Sequence, residues 1–433
     1  MSNQTKVGSY RYRILAMLVY ATTINYFDRS IIGVMAPTLE KIFGWNNNDY
    51  ANIMIAFKIA YAIGMLTMGG IIDRLGTRKG YTLAIGIWSI FGMLHAAVRP
   101  AFSIIGFSLA RFGLGFGESG HFPAAQKTVA EWFPKKERAF ATGIYNAATS
   151  IGAIAAPFII AMIVDEVTGH NWQVPFLITG GLSSIWVLLW LRTYKKPEDH
   201  PKLSKKELEY IESDSSLENK EKIAWGKVFP KRQTWAFATA KITDAVWWFY
   251  LFWGAKFLAA TFDVSLHNIG VPFLIMYLLA DGGSILGGWI SGFFMSKGWS
   301  TNKARKLTLL MCALIILPVC YVAITENKWL AVVLIGIGAA GHQAWSANIF
   351  TLVSDVFPKK AVGSVTGIGG MIGAVAGIIG DKVLGKVLDS SGNTGYFWAF
   401  LIAGSMYLII LGIVHLIMPN MKPLDENLEL VKE

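Results

Sequence analysis

Apolar runs of about twenty residues, repeated along the whole chain with very few charges inside them, constrain this sequence more than any other feature. Ile14 to Ala36 and Leu401 to Met418 are two of them. About 20 apolar residues carry a helix across the hydrocarbon core of a bilayer. Twelve such runs can be drawn, near 14–36, 50–72, 79–98, 103–125, 139–164, 173–193, 233–259, 270–294, 305–325, 329–353, 363–388 and 395–418. Only 15% of the 433 residues are charged, against about 25% in an ordinary soluble domain, so lipid is the solvent these segments suit. The runs are continuous, not alternating, which selects helices over barrel strands, because a backbone in lipid must satisfy its hydrogen bonds within its own segment. The expected class is an all-α membrane protein.

The net charge of +11 invites a nucleic-acid reading, and its placement answers that. Lys and Arg collect before the first run (Lys6, Arg11, Arg13), after the second (Arg74, Arg78, Lys79), after the fourth (Lys135, Lys136, Arg138) and across 192–232. They return after the eighth (Lys297, Lys303, Arg305, Lys306) and the tenth (Lys359, Lys360). Every second connection is basic. The positive-inside rule then puts both termini and the long middle loop in the cytoplasm, so the charge is topology and not a nucleic-acid footprint. The first run is longer than a signal-peptide core and reads as a retained helix. Cys312 and Cys320 lie eight residues apart on one expected helix, about 12 Å, too far for a disulfide. No Cys or His spacing suits a metal, and no nucleophile motif or phosphate loop marks an enzyme, so neither catalysis nor a cofactor is expected.

The chain repeats itself. "EWFPKKERAFATGI" at 131–144 returns as "DVFPKKAVGSVTGI" at 355–368, an offset of 224, about half the length. Each copy follows the fourth run of its own set of six. Two six-helix bundles in the same orientation are therefore expected, over 1–193 and 233–433, joined by a charged linker at 194–232. Parallel halves of this kind are one of the transporter architectures, with the substrate at the bilayer midplane between them. In the linker, Ser204 and Glu207 stand at capping-box spacing before a short amphipathic stretch, which fits an interfacial helix; a mobile tether fits the same composition.

By this point the motifs resemble a known family. "GGIIDRLGTRKG" at 69–80 is similar to the loop between the second and third helices of the major facilitator superfamily, with Gly69, Asp73, Arg74, Gly76, Arg78 and Lys79 matching. Thr77 stands where many members have a basic residue. The resemblance implies the major facilitator fold and a conformational gate in this loop, closed by pairing with basic and helix-end groups. The second-half counterpart, "GGWISGFFMSKG", lacks the acid. "NYFDR", "RFGLGFGESGHFPA" and "EWFPKKERAFATGIYN" look like the superfamily's anion:cation symporters, and "GHQAWSANIFTLVSDVFPKKAVGSVTG" at 341–367 looks like their hexuronate carriers. That likeness implies proton-coupled symport of galacturonate and glucuronate across a bacterial inner membrane, by a chain that works as a monomer. The rival is another sugar acid, such as galactonate, gluconate or glucarate.

Charges inside the membrane mark the candidate site, because a lone charge at the bilayer centre costs about 2.5–3.5 kcal/mol on insertion scales. Asp28 and Arg29 fall about 21 and 22 Å along the first helix. Neighbours on a helix point about 100° apart, so the two need different partners. A guanidinium fork matches a carboxylate bidentately. Arg29 therefore either meets the substrate, as the family's galactonate carriers imply, or is held by a protein carboxylate such as Glu118. Asp28 is read as a proton site, with a static salt bridge as its alternative. Arg111 and Glu118 lie seven apart, two turns on one face; Glu118 is the second proton candidate and Arg111 tunes it or ties helices. His121 joins that network or serves structure.

Lys58 departs from the enteric hexuronate carriers, which have a small polar residue there; it supplies a second cation or pairs with Asp28. Tyr26 and Tyr61 match sugar-contacting tyrosines of the galactonate carriers, or pack. Thr149 stands where that family has a substrate-binding amide. His342, Gln343, Ser346 and Asn348 form a polar run on the tenth helix, suited to sugar hydroxyls or to interhelical bonding. On the seventh helix, Lys241 and Asp244 are three apart and suit an intrahelical pair, whereas Lys256 is expected to snorkel.

Overall fold

The computed structural model describes residues 8–213 and 225–430. Its elements are α1 (Tyr10–Phe43), α2 (Asn47–Leu94), α3 (Ser103–Glu118), α4 (His121–Trp132), α5 (Lys135–Ile163), α6 (Val174–Thr193) and α7 (Lys205–Glu212). Then come α8 (Trp225–Val228), α9 (Arg232–Lys241), α10 (Asp244–Phe262), α11 (Gly270–Ser296), α12 (Thr301–Ile316), α13 (Lys328–Val356), α14 (Lys359–Ser391) and α15 (Gly395–Ile417). The fold is all-α, and each apolar run read from the sequence lies for most of its length on these helices. Among the described residues, eight stretches are apolar and long enough to cross a bilayer. Two of them are double: Asn47–Ala97, with 51 residues, and Ala361–Ile417, with 57. The other two runs fall on α1, whose apolar window holds Asp28 and Arg29, and on α9 with α10, where Asp244, Lys256 and tryptophans lower the mean hydropathy.

Local chemistry sets the helix ends. α2 is broken at Gly76, whose φ of 77° and ψ of 158° are non-helical; a side chain there would strain a positive φ, so the glycine makes the turn between the second and third spans. Ser300 and Asn327 cap α12 and α13 by accepting backbone N–H groups. In the linker Ser204 accepts from the Glu207 N–H, but Glu207 does not complete the capping box. Its carboxylate accepts instead from the backbone N–H and guanidinium of Arg11, at 3.1 and 3.3 Å. The amphipathic helix thus forms and is docked on the start of α1. Lys6 and the 214–224 part of the linker lie outside the described residues.

The chain gathers into two compact units. One comprises Met1–Ile31, Ala60–Ala156 and Asn171–Asn219; the other comprises Ile32–Ile59, Pro157–His170 and Lys220–Glu433. The core of the first is aromatic: Trp186, Trp190 and Tyr194 stack along α6 with centroids 4.8 and 4.3 Å apart, and Tyr81 packs edge-on against Trp190.

In the second unit, close contact between α11 and α13 rests on small residues. A Cβ on Gly283 would lie 2.2 Å from the carbonyl oxygen of Ala340, and one on Gly287 would lie 2.4 Å from the Cα of Ala344. These are backbone contacts that no side-chain rotation relieves, the usual way helices approach closely in lipid. Gly287→Val should destabilise the unit by about 1–3 kcal/mol through overpacking, whereas Gly288→Ala, facing open space, should leave stability equal or slightly higher. Thermal unfolding in detergent checks both; equal midpoints for the two variants would contradict the packing.

Candidate functional site

In the first unit the charges expected within the membrane converge. Arg29 is 4% exposed on α1, and its Nη2 and Nε donate to Glu118 Oε2 at 2.8 and 3.0 Å. Nη2 also reaches Asn25 Oδ1 one turn back, at 3.4 Å. The guanidinium carbon lies 5.0 Å from the ring centroids of both Tyr26 and Tyr61, so the fork is bounded by two aromatic faces and pre-oriented. Of the two partners the sequence left open for Arg29, the carboxylate of Glu118 is the one it holds here. Both donors fall on one oxygen. Glu118 Oε1 is buried with no hydrogen-bond partner among the described residues.

Asp28 points away from this pair, as adjacent helical positions must. Its polar neighbour is the hydroxyl of Thr179 on α6, and the charges of Glu118 and Arg111 act on it. Asp28 Oδ2 is buried without a hydrogen-bond partner among the described residues. Arg111 is wholly buried on α3 and its charge acts on Glu118 as well. His121 has a structural place: its ring nitrogens meet Thr22 Oγ1 at 2.9 Å and Tyr81 Oη at 2.8 Å, tying α4 to α1 and α2. Thr149 is half-buried on α5.

The 69–80 motif makes pairs of its own. Asp73 accepts from Lys127 at 2.9 Å, and Arg78 donates to the carbonyl of Leu191 near the end of α6. Thr77 donates to Glu131 at 2.7 Å, and Tyr194 donates to the other oxygen of that carboxylate. Arg74 is exposed and Gly69 half-buried.

In the second unit the positions of several residues correct the sequence reading. Lys58 is 1% exposed and pairs with Asp381 on α14, at 2.6 Å, not with Asp28. Lys256 does not snorkel: it is buried and bound to Glu40 and to Asn47 Oδ1. Lys241 and Asp244 pair at 2.5 Å with the expected i,i+3 spacing. On α13, Asn348 serves interhelical bonding, its Nδ2 donating to the carbonyls of Gly287 and Ala344 at 2.8 and 2.9 Å, while Arg305 donates to its Oδ1 at 3.1 Å. His342 is buried, 2.6 Å from the Tyr407 hydroxyl and stacked on Trp247. Gln343 and Ser346 are half-buried beside it.

Asp381 and Glu40 are the residues the sequence reading missed. Asp381 lies inside an expected span, in "IIGDKVLG", so the survey of charges within apolar runs that found Lys58 would also have found it.

Chemically, the first cluster is a cation held by a carboxylate. Removing one partner of such a buried pair costs about 3–5 kcal/mol because the remaining charge is uncompensated. If Glu118 takes a proton, the cost falls away only when another anion takes the fork.

A family model described as Major Facilitator Superfamily matches residues 18–380. The hexuronate transporter of Escherichia coli (strain K12) is 31% identical over 398 residues, covering 90% of this chain and 91% of that protein. The probable galactarate/D-glucarate transporter GudP of the same strain is 28% identical over 435 residues, covering 96% and 95%. Among solved structures, a D-xylose-proton symporter superposes with a TM-score of 0.76 at 15% identity, covering 96% of this chain and 99% of that one.

Proposed function

The chain belongs to the Major Facilitator Superfamily, and from that premise we propose that it imports hexuronates, galacturonate and glucuronate, together with protons, across a bacterial inner membrane. The observation that carries the reading is the buried Arg29–Glu118 pair between the Tyr26 and Tyr61 rings, in a chain with a hexuronate transporter as a 31% identical relative over 90% of its length. A sugar acid needs a counter-charge in a low-dielectric site, and the fork of Arg29 supplies one in the geometry a carboxylate prefers.

Coupling follows from exchange. A proton from outside neutralises Glu118, the substrate carboxylate replaces it on Arg29, and Asp28 is the second carboxyl open to protonation. Release reverses the order: the anion leaves to the cytoplasm, Glu118 loses its proton there, and the pair re-forms. Each ligand works by favouring one conformational state over the other. At an inside-negative potential, importing one anion costs about 2.3 kcal/mol per 100 mV; one proton cancels that charge and a second makes the potential drive uptake. Lys58, Thr149, His342, Gln343 and Ser346 are the further substrate candidates, and the loop of Gly69, Asp73, Arg74, Gly76 and Arg78 is the gate. The halves are 1–193 and 233–433, joined through 194–232, with both termini cytoplasmic and one chain sufficient for transport.

A second reading, an aldaric acid as substrate, is favoured by the 28% identity over 435 residues to a probable galactarate/D-glucarate transporter. Uptake of radiolabelled galacturonate into proteoliposomes under an inward proton gradient separates the two. Accumulation that excess unlabelled galactarate, glucarate or galactonate leaves intact is expected. No galacturonate uptake, with galactarate carried instead, would overturn the hexuronate assignment.

A further inference from the structure

We propose that Asp381 is a proton-coupling carboxylate acting through Lys58, so that the Lys58–Asp381 pair is a second place where proton and anion binding depend on each other. The inference rests on the proton-coupled reading above. The pair lies entirely within the second unit, 2.6 Å apart, with side chains 1% and 4% exposed. Lys58 Nζ also donates to the carbonyl of Gly377 at 3.2 Å, and Trp253 Nε1 donates to Asp381 Oδ1 at 3.1 Å. The rings of Trp248 and Phe252 lie 5.4 and 5.5 Å from the ammonium.

The place for the ammonium is built. A Cβ at Gly377 would stand 3.2 Å from Lys58 Nζ and 3.3 Å from the Trp248 ring, so the absence of a side chain there makes room for the charge. The pair is also deep. Asp381 precedes Asp389 by eight residues, about 12 Å on a helix, and Asp389 accepts from the backbone N–H groups of Asn47 and Asn48, each at 2.9 Å, where α2 begins. Lys382, the adjacent cation, is turned to Asn48 and Asn52, at 2.9 and 2.8 Å. Lys58 is the charge that acts on Asp381.

A buried pair of this kind is weak evidence for stability, since well-packed apolar residues often replace one without loss, and ionisable groups within a bilayer usually mark a pathway. The exchange balances as follows. Asp381 carboxylate binds one proton from the outer medium and becomes a neutral acid, which the Trp253 N–H still contacts. Lys58 then loses the charge of its carboxylate partner in a low-dielectric site, a loss that the transported anion's charge offsets. When the anion departs, Asp381 returns its proton to the cytoplasm and re-forms the pair with Lys58.

The test measures protons and galacturonate moved per turnover in proteoliposomes carrying wild type, Asp381→Asn, Asp381→Glu and the double variant Lys58→Met with Asp381→Leu. Asp381→Asn should lower the proton-to-substrate ratio by one and cut gradient-driven accumulation at least tenfold, with Asp381→Glu restoring the ratio. The double variant leaves no unpaired charge and should fold, with the same loss of one proton. A structural brace would show the opposite, with accumulation and ratio in the double variant equal to wild type, and that result overturns the proposal. If Asp381→Asn cannot be recovered folded, the double variant decides alone. Wild type that moves no galacturonate would be a failure of the functional reading; wild type that couples normally beside an unchanged ratio in the variants would be a failure of this inference only.

Discussion

Arg29→Ala should reduce galacturonate uptake by at least about a hundredfold, while Arg29→Lys should retain a tenth or less of it. Hydrogen bonds to charged groups contribute about 1.5–3 kcal/mol each, and a carboxylate seated on the fork would accept two of them. Losing both is worth about 3 kcal/mol or more, and each 1.4 kcal/mol is tenfold. Lysine preserves the charge but not the planar fork, and its ammonium cannot span two carboxylate oxygens as a guanidinium does. The tyrosine faces, each 5.0 Å away, are shaped for a flat cation, so the penalty for lysine should exceed that of a simple point-charge exchange. Initial rates in proteoliposomes, together with the stabilisation that added galacturonate gives against thermal unfolding, check this. Both should vanish in Arg29→Ala. Uptake by that variant at the wild-type rate would remove Arg29 from the substrate site.

Glu118→Gln should separate transport from its driving force. Glutamine has the shape of the protonated acid and no charge to hold Arg29, so the variant is fixed in the form that the fork offers to a substrate. Exchange of labelled for unlabelled galacturonate across the membrane, which needs no net proton movement, should persist within about tenfold of wild type. Accumulation against a gradient should fall at least tenfold, because one of the steps that return a proton to the cytoplasm is gone. Wild-type accumulation in this variant would assign coupling to Asp28 or another carboxylate.

Much of the fold was legible because lipid imposes a length and a hydropathy that few other environments require. The twelve runs, the break between the second and third of them, and a short amphipathic helix after Ser204 as one of two linker readings could be read from neighbouring residues alone. The Lys241–Asp244 pair was also local, three residues apart. Partners distant in sequence were not legible. Lys58 and Asp381 are separated by more than three hundred residues, and only the packing of α2 against α14 within the second unit joins them. Lys256 looked free to snorkel because nothing in its own helix opposes it, yet the end of α1 brings Glu40 to it. Glu207 had the spacing of a capping box, and the stronger charge of Arg11 takes its carboxylate instead. Asn348 belonged to a polar run with the composition of a sugar site, and Arg305, fixed also to Asp355 and Ser291, claims its side-chain oxygen. In each case a polar group found the nearest buried charge, which periodicity and composition do not encode.

The most direct measurement is of proton flux driven by the substrate alone. Proteoliposomes holding a pH-sensitive dye, with the membrane potential clamped at zero and no initial pH difference, would be given an inward gradient of galacturonate in sodium-free buffer. Acidification of the interior at one or more protons per anion in wild type, with the ratio lowered by one in Glu118→Gln, is the expected result. Galacturonate entry without any acidification, or entry that requires sodium, would contradict proton exchange at the Arg29–Glu118 pair.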